Sequence, residues 1–188
     1  MNNEKIINQI KQRARKNFSL GFNCAECVFE AVINTVETGL PKETLKVITG
    51  FGGGCGLYGD TCGALAGAIA AVGAVHGRTK LPLGDDPKEI ANQAGVELYG
   101  KPGLYRLFNQ IPNRFRNDFG ATLCRELTEK WQNDWLCREH ALTCREFITN
   151  SAGMAAEFIF ADTNTTCSLP FAKNVENIKE DDECREKG

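Results

Sequence analysis

At 188 residues and 20.7 kDa the chain is long enough to bury a core and short enough to be one domain. A net charge of −2 and a pI of about 5.8 exclude the basic stripe that nucleic acid or an acidic membrane surface would require. The segment Met1 to Ile10 has no apolar h-region, and the longest apolar run, Ala64 to Val75, falls far short of the ~20 residues that span a bilayer. A soluble, cytoplasmic protein without a signal peptide is therefore expected, with neither nucleic acid nor membrane as partner. Nine cysteines are the compositional oddity. In a reducing compartment, and with an odd count, they argue for metal or redox chemistry or core packing rather than a disulfide framework.

Taken in order, Glu4 to Asn17 predicts a helix with Ile6, Ile7, Ile10, Ala14 and Phe18 on one face, broken at Leu20-Gly21-Phe22. A second opens at Asn23, where Asn23 and Glu26 have capping-box spacing, and runs to a Gly39-Leu40-Pro41 stop. Pro41 starts a short third helix to about Thr49. Then comes the stretch that organises the chain, a glycine-dense loop from Gly50 to Gly59 followed by a helix ending near His76-Gly77. Asp60 or Thr61 is expected to cap that helix, with Cys62 in its first turn. Gly63, Gly67, Ala70, Ala71 and Ala74 recur at three- and four-residue spacing, a face suited to close packing against a second helix or a second copy of the chain.

Pro87 to about Leu98 and Tyr105 to Phe119 read as helices, the latter kinked or split at Pro112. A short helix near Thr122 carries Cys124, and a long one begins at the capping box Thr143-Cys144-Arg145-Glu146 and runs to about Phe160. No alternating strand, repeat or linker stands out. The expected architecture is an all-α, single-domain helical bundle over 1–161, with a loosely held tail over 162–188.

Cys24, Cys62 and Cys144 each follow a plausible cap, and Cys124 sits just inside its helix. Thiols at helix starts face unpaired amides and the positive end of the helix dipole, which lowers their pKa. The recurrence implies four thiolates converging on one centre, and thiolate-only sites suit zinc or an iron–sulfur cluster.

These residues carry a family resemblance. Cys24, the loop Gly50-Phe51-Gly52-Gly53-Gly54, the run Cys62-Gly63-Ala64-Leu65-Ala66-Gly67, and then Cys124 and Cys144 resemble the redox-active family named for its C-GCAxxG-C-C pattern, over roughly residues 18–158. The resemblance implies a small helical redox domain, related to one in split-Soret cytochromes that is associated with an iron–sulfur centre. By matching position the motif cysteines are Cys24, Cys62, Cys124 and Cys144. The chain adds Cys27, Cys55, Cys137, Cys167 and Cys184, of which Cys55 and Cys27 stand as reserve ligands. It has no Cys-x-x-Cys-His, so covalent haem is not expected.

Competing patterns are weaker. Cys24-Ala25-Glu26-Cys27 lacks the strand of a thioredoxin-like context, though its sulfurs lie on adjacent helical turns. Gly54-Cys55-Gly56-Leu57-Tyr58-Gly59 matches a dinucleotide fingerprint, but helix rather than strand precedes it, and no Gly-Lys-Ser/Thr follows for a phosphate loop. Cys137 reads as a packing or surface thiol, and Cys167 and Cys184 as incidental. His76 reads as a helix cap; His140 reads as a cap or solvated side chain, with metal ligation near Cys144 the sharper alternative. The expected function is electron transfer through an iron–sulfur cluster on Cys24, Cys62, Cys124 and Cys144, exchanging electrons with a partner protein or small acceptor. Two alternatives stand beside it: a metal-free thiol–disulfide oxidoreductase with Cys62 as nucleophile and Cys55 or Cys24 resolving, and a zinc-thiolate structural module.

Overall fold

The computed structural model describes residues 3–172. Cys184 and the charged end of the tail lie outside them. Among the described residues there are helices and turns but no strand; the single β-type pairing joins Thr61 to Leu123.

Helix α1 (Asn3–Ser19) turns its buried Ile10 and Ala14 toward the core. α2 (Cys24–Ile33) starts where the sequence says it should. The Asn23 side-chain oxygen accepts from the Ala25 and Glu26 amides at 3.0 and 3.1 Å, and the Glu26 carboxylate accepts the Asn23 N–H at 2.9 Å. Short turns at Lys42–Thr44, α3 (Leu45–Ile48), Thr49–Phe51 and α4 (Gly52–Cys55) lead through the glycine loop into α5 (Gly63–His76). Helices α6 (Pro87–Tyr99), α7 (Leu104–Phe119), α8 (Cys124–Leu127), α9 (Arg138–Phe160) and α10 (Thr163–Thr166) complete the order.

The core lies among α1, α2, α5 and α9, with α7 packed on α5 and α9 and α6 laid on α7. Val28, Phe29, Val32, Leu65, Val72, Ile111, Phe115 and Ile148 are fully buried there. The small-residue face of α5 serves the close packing expected of it. A Cβ at Gly67 would stand 2.6 Å from the Ala25 carbonyl oxygen and one at Gly63 would stand 2.9 Å from that of Phe51, so α2 and the loop press against bare backbone.

Three expectations change. Pro112 does not split α7: the apolar face of Leu107, Ile111 and Phe115 is fully buried, and that packing outweighs the ~3 kcal/mol an interior proline costs. α9 begins at Arg138, not at Thr143. The Cys137 sulfur accepts the His140 amide at 3.4 Å as N-cap, and the hydroxyl of Thr143 donates back to the Glu139 carbonyl at 3.0 Å inside the helix. The first part of the tail is not loose. The Gly103 amide donates to the Cys167 carbonyl (2.8 Å), buried Arg106 donates to the Leu169 carbonyl (3.0 Å) and stacks under the Phe171 ring, and Gln110 donates to the Pro170 carbonyl (3.1 Å).

One ion pair ties α1 to α2. Arg13 Nε donates to a Glu30 carboxylate oxygen at 2.9 Å, and Asn17 donates to the same carboxylate. Burial pushes the Glu30 pKa up, but Arg13 and Asn17 together hold it below the usual carboxylate value. A folded-state pKa below the unfolded one contributes stability above the unfolded pKa and loses it as pH falls through the folded value. The melting-temperature difference between wild type and Glu30→Gln is therefore expected to be largest above about pH 5 and to shrink toward about pH 3. Thermal melts at the two pH values check this; a constant difference would mean the pair contributes nothing to stability through charge.

Candidate functional site

The glycine loop winds left-handed. Gly53, Gly54, Cys55, Gly56 and Leu57 all carry positive φ, from 58° to 76°. Side-chain-bearing residues resist this conformation, so two of them in the run mark a turn held by its surroundings. The hold is a ladder of backbone bonds: Gly56 N–H to Gly50 O (2.7 Å), Leu57 N–H to Gly52 O (3.1 Å) and Asp60 N–H to Gly54 O (3.1 Å). The loop's exit pairs with a distant segment. Cys124 N–H donates to Asp60 O at 2.7 Å, Arg125 N–H to Gly59 O at 2.9 Å and Cys62 N–H to Thr122 O at 2.8 Å. Cys62 and Cys124 are thereby set side by side.

Cys24 reaches the same place from the start of α2, and Cys144 from the interior of α9. The four thiols line one pocket, whose remaining wall includes Ala64, Leu127, Thr128 and Phe147. Cys62 and Cys124 are buried; Cys24 and Cys144 keep partial exposure. All six pairs among the four sulfurs act on one another electrostatically, so none is a bystander.

Helix position does not set the thiol acidities as expected. The Cys144 thiol donates to Cys24, which lowers the Cys24 pKa, helped by the Gly53 amide facing that sulfur. The same hydrogen bond, then burial, raises Cys144, which sits mid-helix where no free amide is available. Burial pushes Cys62 up to about 12 even though the Ala64 and Leu65 amides face its sulfur, and burial followed by the neighbouring Cys24 raises Cys124. Cys62 is itself the N-cap residue of α5, and neither Asp60 nor Thr61 caps that helix. Four sulfurs this close cannot all carry negative charge unless positive charge stands among them.

The reserve thiols lie elsewhere. Cys27 is buried on the core side of α2, its S–H donating to the Phe22 carbonyl at 3.4 Å, so the Cys-x-x-Cys spacing does not make a pair in the pocket. Cys55 is exposed on the loop, Cys137 caps α9, and Cys167 is buried beside the start of α7. His76 ends α5 with Nε2 at 3.1 Å from the Ile159 carbonyl oxygen, which implies that this nitrogen carries the proton. His140 is neither solvated nor a simple cap. It is buried, with Nδ1 on the Trp135 carbonyl and Nε2 at 3.3 Å from the Cys144 sulfur.

A fold that brings four thiols from four separate segments to one apolar-walled pocket defines an all-helical, cysteine-centred protein. Residues 22–158, well over half the chain, match the family described as "Putative redox-active protein (C_GCAxxG_C_C)". The chain belongs to this family, as the motif in its sequence implied. Comparisons with curated proteins and with solved structures give no match. No helix among the described residues is long and apolar enough to cross a membrane.

Proposed function

We propose that Cys24, Cys62, Cys124 and Cys144 hold an iron–sulfur cluster as thiolates and that the protein transfers electrons in the cytoplasm, to or from a partner protein or a small acceptor. The observation that carries this reading is the donor set: four thiols, and no carboxylate or imidazole, line the pocket. Bound there, a cluster would supply one-electron chemistry. The chain's own contribution is an apolar wall that limits solvent, and backbone amides of Gly53, Ala64 and Leu65 facing the sulfurs, an arrangement that tunes such centres. Among the described residues no three histidine, cysteine or acidic side chains stand close enough to grip a single metal ion. The reading with Cys62 as an acidic nucleophile resolved by Cys55 is not favoured, because the first is buried with a raised pKa and the second lies outside the pocket.

The test is composition. Protein prepared without oxygen is expected to be brown, to contain iron and acid-labile sulfide in comparable amounts, and to lose its visible absorption on reduction. Stoichiometric zinc in a colourless sample, or neither metal nor sulfide, would overturn the proposal.

A further inference from the structure

Two of the four thiols are set apart from the others. Cys24 and Cys144 line the same pocket and are the two of the four with solvent exposure, whereas Cys62 and Cys124 are buried. Cys144 is also held from behind. A carbonyl oxygen only accepts, so the His140 Nδ1 on Trp135 O carries a proton and donates it, while Nε2 faces the Cys144 sulfur at 3.3 Å. The Trp131 and Trp135 rings flank the imidazole at centroid distances of 5.6 and 4.3 Å and hold its plane. The result is a chain of contacts from the Trp135 carbonyl through His140 to Cys144, in the pocket that Cys24 also lines.

We propose that Cys24 and Cys144 form an exchangeable dithiol: in protein without bound metal, a low-molecular-weight disulfide oxidises this pair, and no other, to an intramolecular disulfide. The Cys24 sulfur attacks one sulfur of the small disulfide, forming a mixed disulfide, and the first small thiol departs with the Cys24 proton. The Cys144 sulfur then displaces the second small thiol, which departs with the Cys144 proton. Two protein thiols are oxidised, one small disulfide is reduced to two thiols, and one protein S–S bond is gained. Cys62 and Cys124 take no part because the small disulfide does not reach them. The exchange itself stands on the thiol geometry; its consequence, a centre closed to a cluster until reduced, rests on the proposed function.

The test uses the full wild-type chain, stripped of metal by a chelator under reducing, oxygen-free conditions, freed of reductant, and treated with oxidised glutathione. After an acid quench the remaining thiols are alkylated and cross-linked peptides are mapped. Two of the nine thiols per chain are expected to disappear, joined as Cys24–Cys144 and recovered on reduction, with this link about tenfold more abundant than any other pairing. Cys27→Ser protein, altered outside the pocket, is expected to form the same link. A dominant link through Cys27, Cys55 or Cys62, or glutathione retained without any link, would overturn the proposal. The link is read in protein containing neither iron nor sulfide, so its failure is distinct from that of the cluster reading, which is decided by iron and sulfide content.

Discussion

Gly54→Ala protein is expected to lose about 2–4 kcal/mol of stability, combining left-handed strain with a backbone clash, and, on the cluster reading proposed above, to take up neither iron nor sulfide. Gly54 has φ of +76°, and the three nearest neighbours of a Cβ there would all be backbone atoms: Asp60 N at 2.6 Å, Gly59 C at 2.7 Å and Asp60 O at 2.8 Å. No side chain can rotate away to make room. The carbonyls of Gly59 and Asp60 are the ones that receive the Arg125 and Cys124 amides, so pushing them aside detaches Cys124 from Cys62. Gly56 is the control. Its φ of +73° is nearly the same, but nothing lies within 4 Å of a Cβ, so Gly56→Ala is expected to cost only the conformational strain, about 1 kcal/mol, and to keep the centre. Denaturant unfolding together with iron uptake distinguishes the two. Equal behaviour of the two variants would mean that the loop's contact with the 122–125 segment does not organise the thiols.

On the same proposed reading, replacing Cys62 or Cys124 by serine is expected to lower bound iron at least about tenfold, because each removes a soft sulfur from a pocket lined by four thiols. Cys27→Ser and Cys55→Ser are expected to retain iron. The Cys27 side chain already donates to the Phe22 carbonyl, a bond a hydroxyl can replace, and Cys55 is exposed on the loop. Iron and sulfide analysis of the four proteins checks the assignment; loss in Cys55→Ser with retention in Cys124→Ser would reverse it.

Much of this arrangement was legible in the chain itself. Asn23 and Glu26 spelled the start of α2, the spacing of Gly63 and Gly67 spelled a face for close packing that α2 turns out to occupy, and the glycine-rich run marked a turn that ordinary side chains resist. The thiols' meeting in one pocket followed from their common place near helix starts, although that rule describes only Cys24, Cys62 and Cys124. Cys144 lies inside α9. The pattern Thr143-Cys144-Arg145-Glu146 has capping-box spacing, but a cap works only where the preceding turn is absent, and Cys137 had already started the helix. The same misplacement hid His140. Once 138–160 is one helix, positions 140 and 144 stand one turn apart on the same face, and the histidine falls on the sulfur. The acidities could not be read locally either, because burial and the neighbouring sulfurs outweigh the helix-end amides, and both depend on tertiary packing.

The strap that follows α9 has a practical consequence for anyone trimming the protein. The family's span stops at 158, yet the Arg106 guanidinium, 2% exposed, is satisfied by the carbonyls of Gly100 and Leu169. A shortened version cut at the family boundary would leave a cation interred at the foot of α7 without the Leu169 oxygen or the ring above it. A version that extends to Phe171 keeps both contacts and is expected to melt at a higher temperature than one cut at 158.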